Sequence, residues 1–154
     1  MRSVLLVLLC LGLAAIALGC GGKKPSAQPG PKPASKGSAV AWLHSYEDGL
    51  KQAKADGKPL MVDVFATWCG PCKQLDEEVF SRPDVGELSK ELVAVKVDGD
   101  QRPDLVAALR VSGYPTTVFL TADGRALGRA RGAVTYQEML ETMRDALGKA
   151  ASGE

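Results

Sequence analysis

The apolar residues of this chain fall into two patterns: short continuous runs, and longer runs with helical spacing. Three short apolar runs, bounded by polar segments, predict strands at residues 60–67, 92–97 and 116–121. Residues 125–131 carry several arginines and predict a fourth strand, at an exposed edge of the sheet. Strands of this length with helices between them are typical of an α/β domain.

Helical spacing predicts helices at residues 46–56, 70–80, 103–110 and 136–148, with a further helical segment that begins at Ser81. Two of the helices are expected to start with a capping box, formed by Ser45 with Asp48 and by Thr135 with Glu138. These local signals indicate where the helices begin before any tertiary contact is considered.

The order of the elements predicts how the strands connect. Helices join the first two strands, which should therefore be parallel, whereas Asp123-Gly124 predicts a hairpin turn between the last two. We therefore predict a three-layer α/β sandwich, with a mixed sheet of four or five strands flanked by helices. The number of strands depends on residues 40–43, which form either a short strand or a leading segment.

The first nineteen residues predict a secretion signal. Arg2 supplies a positive start, and the apolar stretch from Val4 to Leu18 is shorter than the roughly 20 residues that span a bilayer. The stretch ends in Ala17-Leu18-Gly19-Cys20, which resembles the bacterial lipobox, with Ala17 where leucine is usual. This resemblance implies that Cys20 is lipid-modified; the alternative is an ordinary cleaved signal followed by an unrelated cysteine.

Residues 20–38 predict a lipid-anchored cysteine followed by a disordered linker. Residues 21–38 contain almost no apolar side chains and are rich in proline and glycine, so they cannot bury enough surface to fold. As a flexible coil they would span about 25 Å. The anchor would hold a domain at residues 39–148 near a membrane, followed by a flexible tail at 149–154; the alternative is a cleavable spacer.

Charge argues against one class of partner. Only Arg2 of the 19 basic residues lies in the leader, which leaves 18 basic against 18 acidic residues. A near-neutral domain lacks the basic surface that nucleic acid requires. We expect no nucleic-acid partner, no cofactor and a monomeric protein.

Cysteine usage predicts one redox pair. Cys10 leaves with the leader and Cys20 takes lipid, so Cys69 and Cys72 remain in the folded part. Their CxxC spacing, where a strand passes into a helix, is typical of a dithiol redox site. The alternative is a metal site, but one CxxC supplies only two of the usual four ligands and His44 is the only histidine. We therefore expect no metal.

Three separated stretches resemble the thioredoxin superfamily, namely residues 62–73 with Trp68-Cys69-Gly70-Pro71-Cys72, then Gly113-Tyr114-Pro115-Thr116, then Gly132-Ala133. The resemblance covers roughly residues 59–147. Within the superfamily, residues 72–85 are similar to the exported C-terminal domain of the thiol:disulfide interchange transporter and to small thioredoxin-like lipoproteins. The resemblance implies a thioredoxin-like fold and thiol–disulfide exchange.

The two cysteines are expected to have different roles. Cys69 should be the nucleophile, because the free N–H groups and the dipole at a helix N-terminus favour a thiolate. Cys72, one turn further and expected to be more buried, should be the resolving thiol. Gly70 and Pro71 tune the pair, and their resemblance to the thioredoxin dipeptide implies a reducing protein.

Asp63 lies inside an apolar strand, where burial should raise the pKa of its carboxyl group. The resemblance implies that it helps to move the proton of Cys72; the alternative is an aspartate satisfied by the backbone. Thioredoxins usually carry a lysine four residues before the aspartate that closes the second strand. Counting from Asp98 gives Ala94, and whether nearby Lys96 takes this place is left open.

The resemblance also assigns residues around the cysteines. Pro115 should be a cis proline that faces the CxxC and leaves the backbone of Tyr114 free to pair with an extended substrate; the alternative is an ordinary trans proline. Trp68 either flanks the site or packs in the core. Residues 76–78, an acidic run, are expected to form a solvated helix face.

The expected function is that of a membrane-tethered thiol–disulfide oxidoreductase of the bacterial cell envelope, acting in the periplasm on disulfide-containing envelope proteins. Electrons would arrive from a separate membrane protein, because this sequence does not show the membrane domain of the transporter. Two alternatives stay open: a disulfide oxidase or isomerase of the same fold, and a client-binding assembly module without turnover.

Overall fold

The computed structural model describes residues 38–153. The signal sequence, Cys20 and residues 21–37 of the linker lie outside the described residues. The elements follow in this order: α1 (Tyr46–Asp56), β1 (Leu60–Phe65), α2 (Gly70–Leu75), a π-helical turn (Asp76–Phe80), α3 (Pro83–Ser89), β2 (Val93–Asp98), α4 (Pro103–Ala108), β3 (Thr116–Leu120), β4 (Ala126–Arg131) and α5 (Tyr136–Ser152).

The sheet contains four strands in the order β2-β1-β3-β4. β1 and β2 are parallel, whereas β1 with β3 and β3 with β4 are antiparallel, as the connections predict. The segment before α1 does not add a fifth strand, because Leu43 makes only a single parallel bridge, to Val95. The prediction of a mixed sheet flanked by helices is confirmed, and residues 40–43 are a leading segment.

Alternating residues of β1 and β2 divide the interior into two cores. Leu60, Val62 and Val64 face one helical layer together with Val95 of β2. Met61 faces the other layer, where Trp42, Phe80 and Met139 are among the largest fully buried side chains. Asp63 has the same strand parity as Met61, so a carboxylate lies within an otherwise apolar strand. This register places the one charged group of β1 in the interior.

The helix predicted over 70–80 ends at Phe80 as expected, but it changes from α-helix to a π-helical turn at Asp76. Two other predicted boundaries are wrong. Ser81 does not cap α3, whose N-cap is Arg82; the Ser81 hydroxyl instead donates to the carbonyl of Glu77. Ser38, assigned to the linker, belongs to the domain, since its hydroxyl accepts a hydrogen bond from Trp42 Nε1 at 3.0 Å.

The predicted flexible tail at 149–154 is also wrong over most of its length. Helix α5 continues to Ser152 and ends at Gly153, which adopts φ 75° and donates to the carbonyl of Lys149. Lys149 pairs with Asp145 and also donates to the carbonyl of Leu127, so the last turn is held against β4. Glycine at 148 did not end the helix, because its neighbours on α5 have packing partners.

Among the described helices, none is long and apolar enough to cross a membrane.

Candidate functional site

A disulfide joins Cys69 and Cys72 at the carboxyl end of β1, with their Cα atoms 5.3 Å apart. Cys69 is the N-cap of α2, and its Sγ accepts a hydrogen bond from the backbone N–H of Cys72 at 3.2 Å. The segment after β1 places Cys69 at the start of α2, and the first helical turn brings Cys72 Sγ within bonding distance of Cys69 Sγ. The predicted pairing at CxxC spacing is what the structure shows.

The two cysteines are buried to a similar extent in this oxidised state. Cys69 is 3% exposed and Cys72 is 4% exposed, so the expectation that Cys72 is the deeper of the two does not hold here. They form a small buried cluster with Ala66, and Phe65 and Tyr114 pack against this cluster. Position along the helix, rather than depth, distinguishes the two sulfurs: Cys69 precedes the first turn and Cys72 lies within it.

Asp63 is a buried carboxylate with two polar partners. It is 1% exposed, the hydroxyl of Thr117 donates to its Oδ1 at 3.1 Å, and Lys96 Nζ lies 3.5 Å from its Oδ2. The pKa of Asp63 is raised to about 6, and burial is the largest cause. The charge of Asp76 also raises this pKa, whereas Lys96 and Thr117 lower it. The alternative of an aspartate satisfied by the backbone is wrong, because its partners are side chains.

Lys96 takes the place of the lysine partner that the sequence left open. It lies opposite Asp63 in the β1–β2 register, is 8% exposed on its side chain, and also pairs with Asp76. Its ammonium lies 5.2–5.6 Å from the ring centres of Trp42, Phe65 and Phe80. Asp98 closes β2 and the four-residue count from it gives Ala94, so it is the strand register, and not this count, that identifies Lys96 as the partner of Asp63.

Asp76 is a site residue that the sequence interpretation missed. It was assigned to a solvated helix face, but its side chain is 30% exposed and pairs with Lys96. It begins the π-helical turn, and turns of this kind occur often at functional sites. A signal was available, because Asp76 stands four residues after Cys72 and therefore lies on the same helix face.

The Tyr114-Pro115 peptide bond is cis, as the resemblance implied. Pro115 is buried, and the hydroxyl of Thr116 donates to the carbonyl of Gly113 at 2.7 Å, which closes the turn. Within residues 38–153, neither the amide nor the carbonyl of Tyr114 has a hydrogen-bond partner. The backbone of Tyr114 beside the disulfide is therefore open for pairing with another chain.

Trp68 flanks the site instead of packing in the core. It is 70% exposed, its Nε1 donates to Asp100 Oδ2 at 2.7 Å, and its ring centre lies 6.1 Å from that of Tyr114. Gly99 and Asp100 form a turn directly after β2, and the role of this Asp98-Gly99-Asp100 turn in holding Trp68 was not predicted from the sequence. Gly70 and Pro71 are exposed between the two cysteines, at the mouth of the site.

A cavity of about 450 Å³ opens beside this group. Lys96 lines it together with Thr67, Asp98 and His44. Across the part of the chain that the structure describes, no cluster of three or more His, Cys, Asp or Glu side chains could hold a metal ion. The arrangement is that of a dithiol site with a buried carboxylate, next to the unpaired backbone of Tyr114.

Comparison with known proteins agrees with this geometry. Over 94 residues, the chain is 37% identical to thioredoxin 1 of Chlorobaculum tepidum, a match that covers 58% of this chain and 86% of that protein. It is 37% identical over 90 residues to the thiol:disulfide interchange protein DsbD of Klebsiella pneumoniae, covering 56% of this chain but only 15% of that protein.

Solved structures show the same fold. A thioredoxin from Thermus thermophilus superimposes with a TM-score of 0.67 at 31% sequence identity, covering 75% of this chain and 94% of that chain. The sequence model of a family described as a thioredoxin-like domain matches residues 46–147, more than half of the chain and including every element from α1 to β4. The chain therefore belongs to the thioredoxin-like domain family.

Proposed function

We propose that this protein is a membrane-tethered thiol–disulfide oxidoreductase of the bacterial cell envelope, which reduces disulfides in other proteins. The observation that carries the exchange chemistry is the Cys69–Cys72 disulfide at the start of α2, beside the unpaired backbone of Tyr114. Family membership implies disulfide-containing proteins as substrates. The tether, the compartment and the direction of electron flow are parts of the proposal that rest on the sequence.

The exchange proceeds in two balanced steps. In the reduced protein, the Cys69 thiolate attacks one sulfur of a substrate disulfide, forms a mixed disulfide and releases the other substrate sulfur as a thiolate. The Cys72 thiolate then attacks Cys69 Sγ and releases the second substrate sulfur. The two electrons of the dithiol pass to the substrate, and the Cys69–Cys72 disulfide seen here is the product state.

Asp63 supplies the proton acceptor in this scheme. The second step needs Cys72 as a thiolate, and a carboxyl group with a pKa of about 6 is largely ionised at neutral pH yet readily accepts a proton. Lys96 pairs with Asp63 and also with Asp76, whose side chain is 30% exposed, so the buried carboxylate is linked through charged groups to the protein surface.

Reduction is favoured over oxidation by the Gly70-Pro71 dipeptide, which resembles that of thioredoxin. The test is the equilibrium of the Cys69–Cys72 pair with a glutathione redox buffer. A potential near that of thioredoxin, about −270 mV, supports a reductase, whereas a value near about −120 mV indicates a disulfide oxidase. A donor in the membrane is the proposed electron source, in line with the similarity to the thiol:disulfide interchange protein.

A trapping experiment identifies the substrates and tests the mechanism. Cys72→Ala should accumulate a mixed disulfide on Cys69, because the second sulfur needed for release is absent. The matched control is the Cys69→Ala, Cys72→Ala double variant, which should trap nothing. If Cys72→Ala forms no adduct while Cys69 still reacts with an alkylating agent, the exchange mechanism is wrong. Activity retained by Cys69→Ser would instead favour a client-binding module.

The tether is tested separately, on the full chain. Cells supplied with an alkyne-bearing fatty acid should label the wild-type protein, and Cys20→Ser should abolish the label and release the domain from the membrane fraction. A protein that remains unlabelled, yet is exported and active, would contradict the anchor while leaving the exchange chemistry intact.

A further inference from the structure

Gly99 lies directly against the ring of Tyr114. A Cβ atom built at Gly99 would stand 2.6 Å from both Cε1 and Cζ of Tyr114 and closer still to the hydroxyl oxygen. These are its three nearest neighbours, and separations below 3.0 Å are essentially never seen for real Cβ atoms. The backbone of Gly99 is not in the left-handed region, so the conformation alone does not require glycine. Glycine is required at this position because the Tyr114 ring occupies the space that a side chain would need.

The Gly99 side of this contact is held in place by the sheet. The N–H of Gly99 donates to the carbonyl of Phe65 at 2.8 Å, which fixes the turn to the end of β1. Tyr114 precedes the buried Pro115, and its ring packs against the cluster of Cys69 and Cys72. An added methyl group at Gly99 would therefore displace the ring within the site, because the turn on the other side is held by the sheet.

The Tyr114 ring, which has room only because residue 99 is glycine, forms part of the wall around the disulfide. Its centre lies 6.1 Å from that of Trp68, at an interplanar angle of 63°, an edge-to-face arrangement. Trp68 is itself held by Asp100, the residue after Gly99. The Asp98-Gly99-Asp100 turn thus sets the positions of both rings, one through a missing side chain and the other through a hydrogen bond.

We propose that Gly99 is a positioning residue for thiol–disulfide exchange, which lets the Tyr114 ring lie between the turn and the disulfide as a wall for polypeptide substrates. This inference rests on the proposed function. The ring shields a disulfide whose cysteines are only 3% and 4% exposed, so it restricts small reagents. It also borders the backbone at which an extended polypeptide would pair, so it supports large substrates. Displacing the ring should affect these two classes in opposite directions.

The test compares Gly99→Ala in two backgrounds, wild type and Tyr114→Ala, with two assays. One assay is the reduction of insulin disulfides by the reduced protein, and the other is the reduction of the Cys69–Cys72 disulfide by dithiothreitol. In the wild-type background, Gly99→Ala should slow insulin reduction on the order of tenfold, as small misplacements near reacting groups do. It should also speed the dithiothreitol reaction. In the Tyr114→Ala background it should change neither rate, because no ring remains to be displaced.

Two further variants test whether the rate changes caused by Gly99→Ala arise from the Tyr114 ring. Tyr114→Phe keeps the ring carbons that a Cβ would meet, so Gly99→Ala should still act in that background. Gly148→Ala is the matched control, a glycine of α5 with no atom within 4 Å of a built Cβ, and should leave both rates unchanged. Equal effects of Gly99→Ala in the wild-type and Tyr114→Ala backgrounds, or no effect in the wild type, would overturn the proposal.

Failure to fold does not remove the test. If Gly99→Ala alone misfolds, the double variant with Tyr114→Ala should fold and match Tyr114→Ala in both assays; a double variant that also misfolds refutes the role of the ring. If the wild-type protein does not reduce insulin, the proposed function fails. The dithiothreitol reaction and the emission of Trp68, whose ring contacts Tyr114, then still report whether Gly99 positions the ring.

Discussion

Replacing Asp63 by asparagine should stabilise the oxidised protein at neutral pH and leave its stability at pH 4 nearly unchanged. The pKa of Asp63 is about 6 in the folded protein, against 3.8 for an ordinary aspartate. Between these values the folded protein retains a proton that the unfolded chain releases, so stability falls as pH rises through this window and the loss is complete above it. At 1.36 kcal/mol per pKa unit, the ionised carboxylate costs roughly 3 kcal/mol.

Asparagine has the same shape, keeps an oxygen that can accept from Thr117, and does not ionise. Its amide nitrogen would face Lys96, which offsets part of the gain, so we expect roughly 1–3 kcal/mol above pH 7. The measurement is urea unfolding of the oxidised wild type and Asp63→Asn at pH 4, 6 and 8, comparing midpoints at equal slopes. A variant less stable than wild type at pH 8, or a difference independent of pH, would refute this reasoning.

The control for this prediction is Asp76→Asn. The charge of Asp76 raises the pKa of Asp63, so its removal should lower that pKa and move the pH window of the wild-type stability loss downward. Asp63 stays ionisable in this variant, which means that the pH dependence should shift and not disappear. If Asp76→Asn instead lost the whole pH dependence, Asp76 and not Asp63 would be the group responsible for it, and the reasoning would be wrong.

The remaining predictions concern the same buried pair and two helical glycines. Lys96→Met should raise the pKa of Asp63 above about 6, because it removes the charge that lowers it; a carboxyl ¹³C titration that shows no rise would contradict the pairing. Gly148→Ala should stabilise α5 by roughly 0.5–1 kcal/mol, since open space surrounds a Cβ there; a destabilised variant in urea unfolding would contradict this. Gly49→Ala in α1 should instead destabilise the protein by roughly 1–3 kcal/mol, because the methyl group would overlap Val95. If both glycine substitutions changed the free energy of unfolding in the same direction, the packing argument would be wrong.

Most of the fold could be predicted because its determinants are local. The apolar run before Cys69 forms β1 as expected, and Ser45 and Thr135 cap α1 and α5. A capping hydrogen bond joins residues three positions apart, so the sequence contains both partners. The same holds for Cys69 and Cys72, whose spacing brings the sulfurs together within one helical turn.

The end of the last helix shows where a local signal fails. Glycine at 148 predicted a stop, but α5 continues to Ser152, because Lys149 binds the carbonyl of Leu127 on β4 and Ala150 packs against the core. Neither contact is encoded near Gly148. Tertiary packing here overrides the low helix propensity of one residue.

By itself, the sequence determined the strand and helix pattern and the redox pair, because each depends on spacing along the chain, while the cis proline at Pro115 was implied by the resemblance to the thioredoxin superfamily. Only the tertiary structure decided which residues from distant parts of the chain come into contact: Asp63 with Thr117 and Lys96, and Gly99 with Tyr114. These contacts follow from strand register and from the approach of separate loops. A shift of one residue along β2 would turn Lys96 to the other face of the sheet, away from the carboxylate it holds.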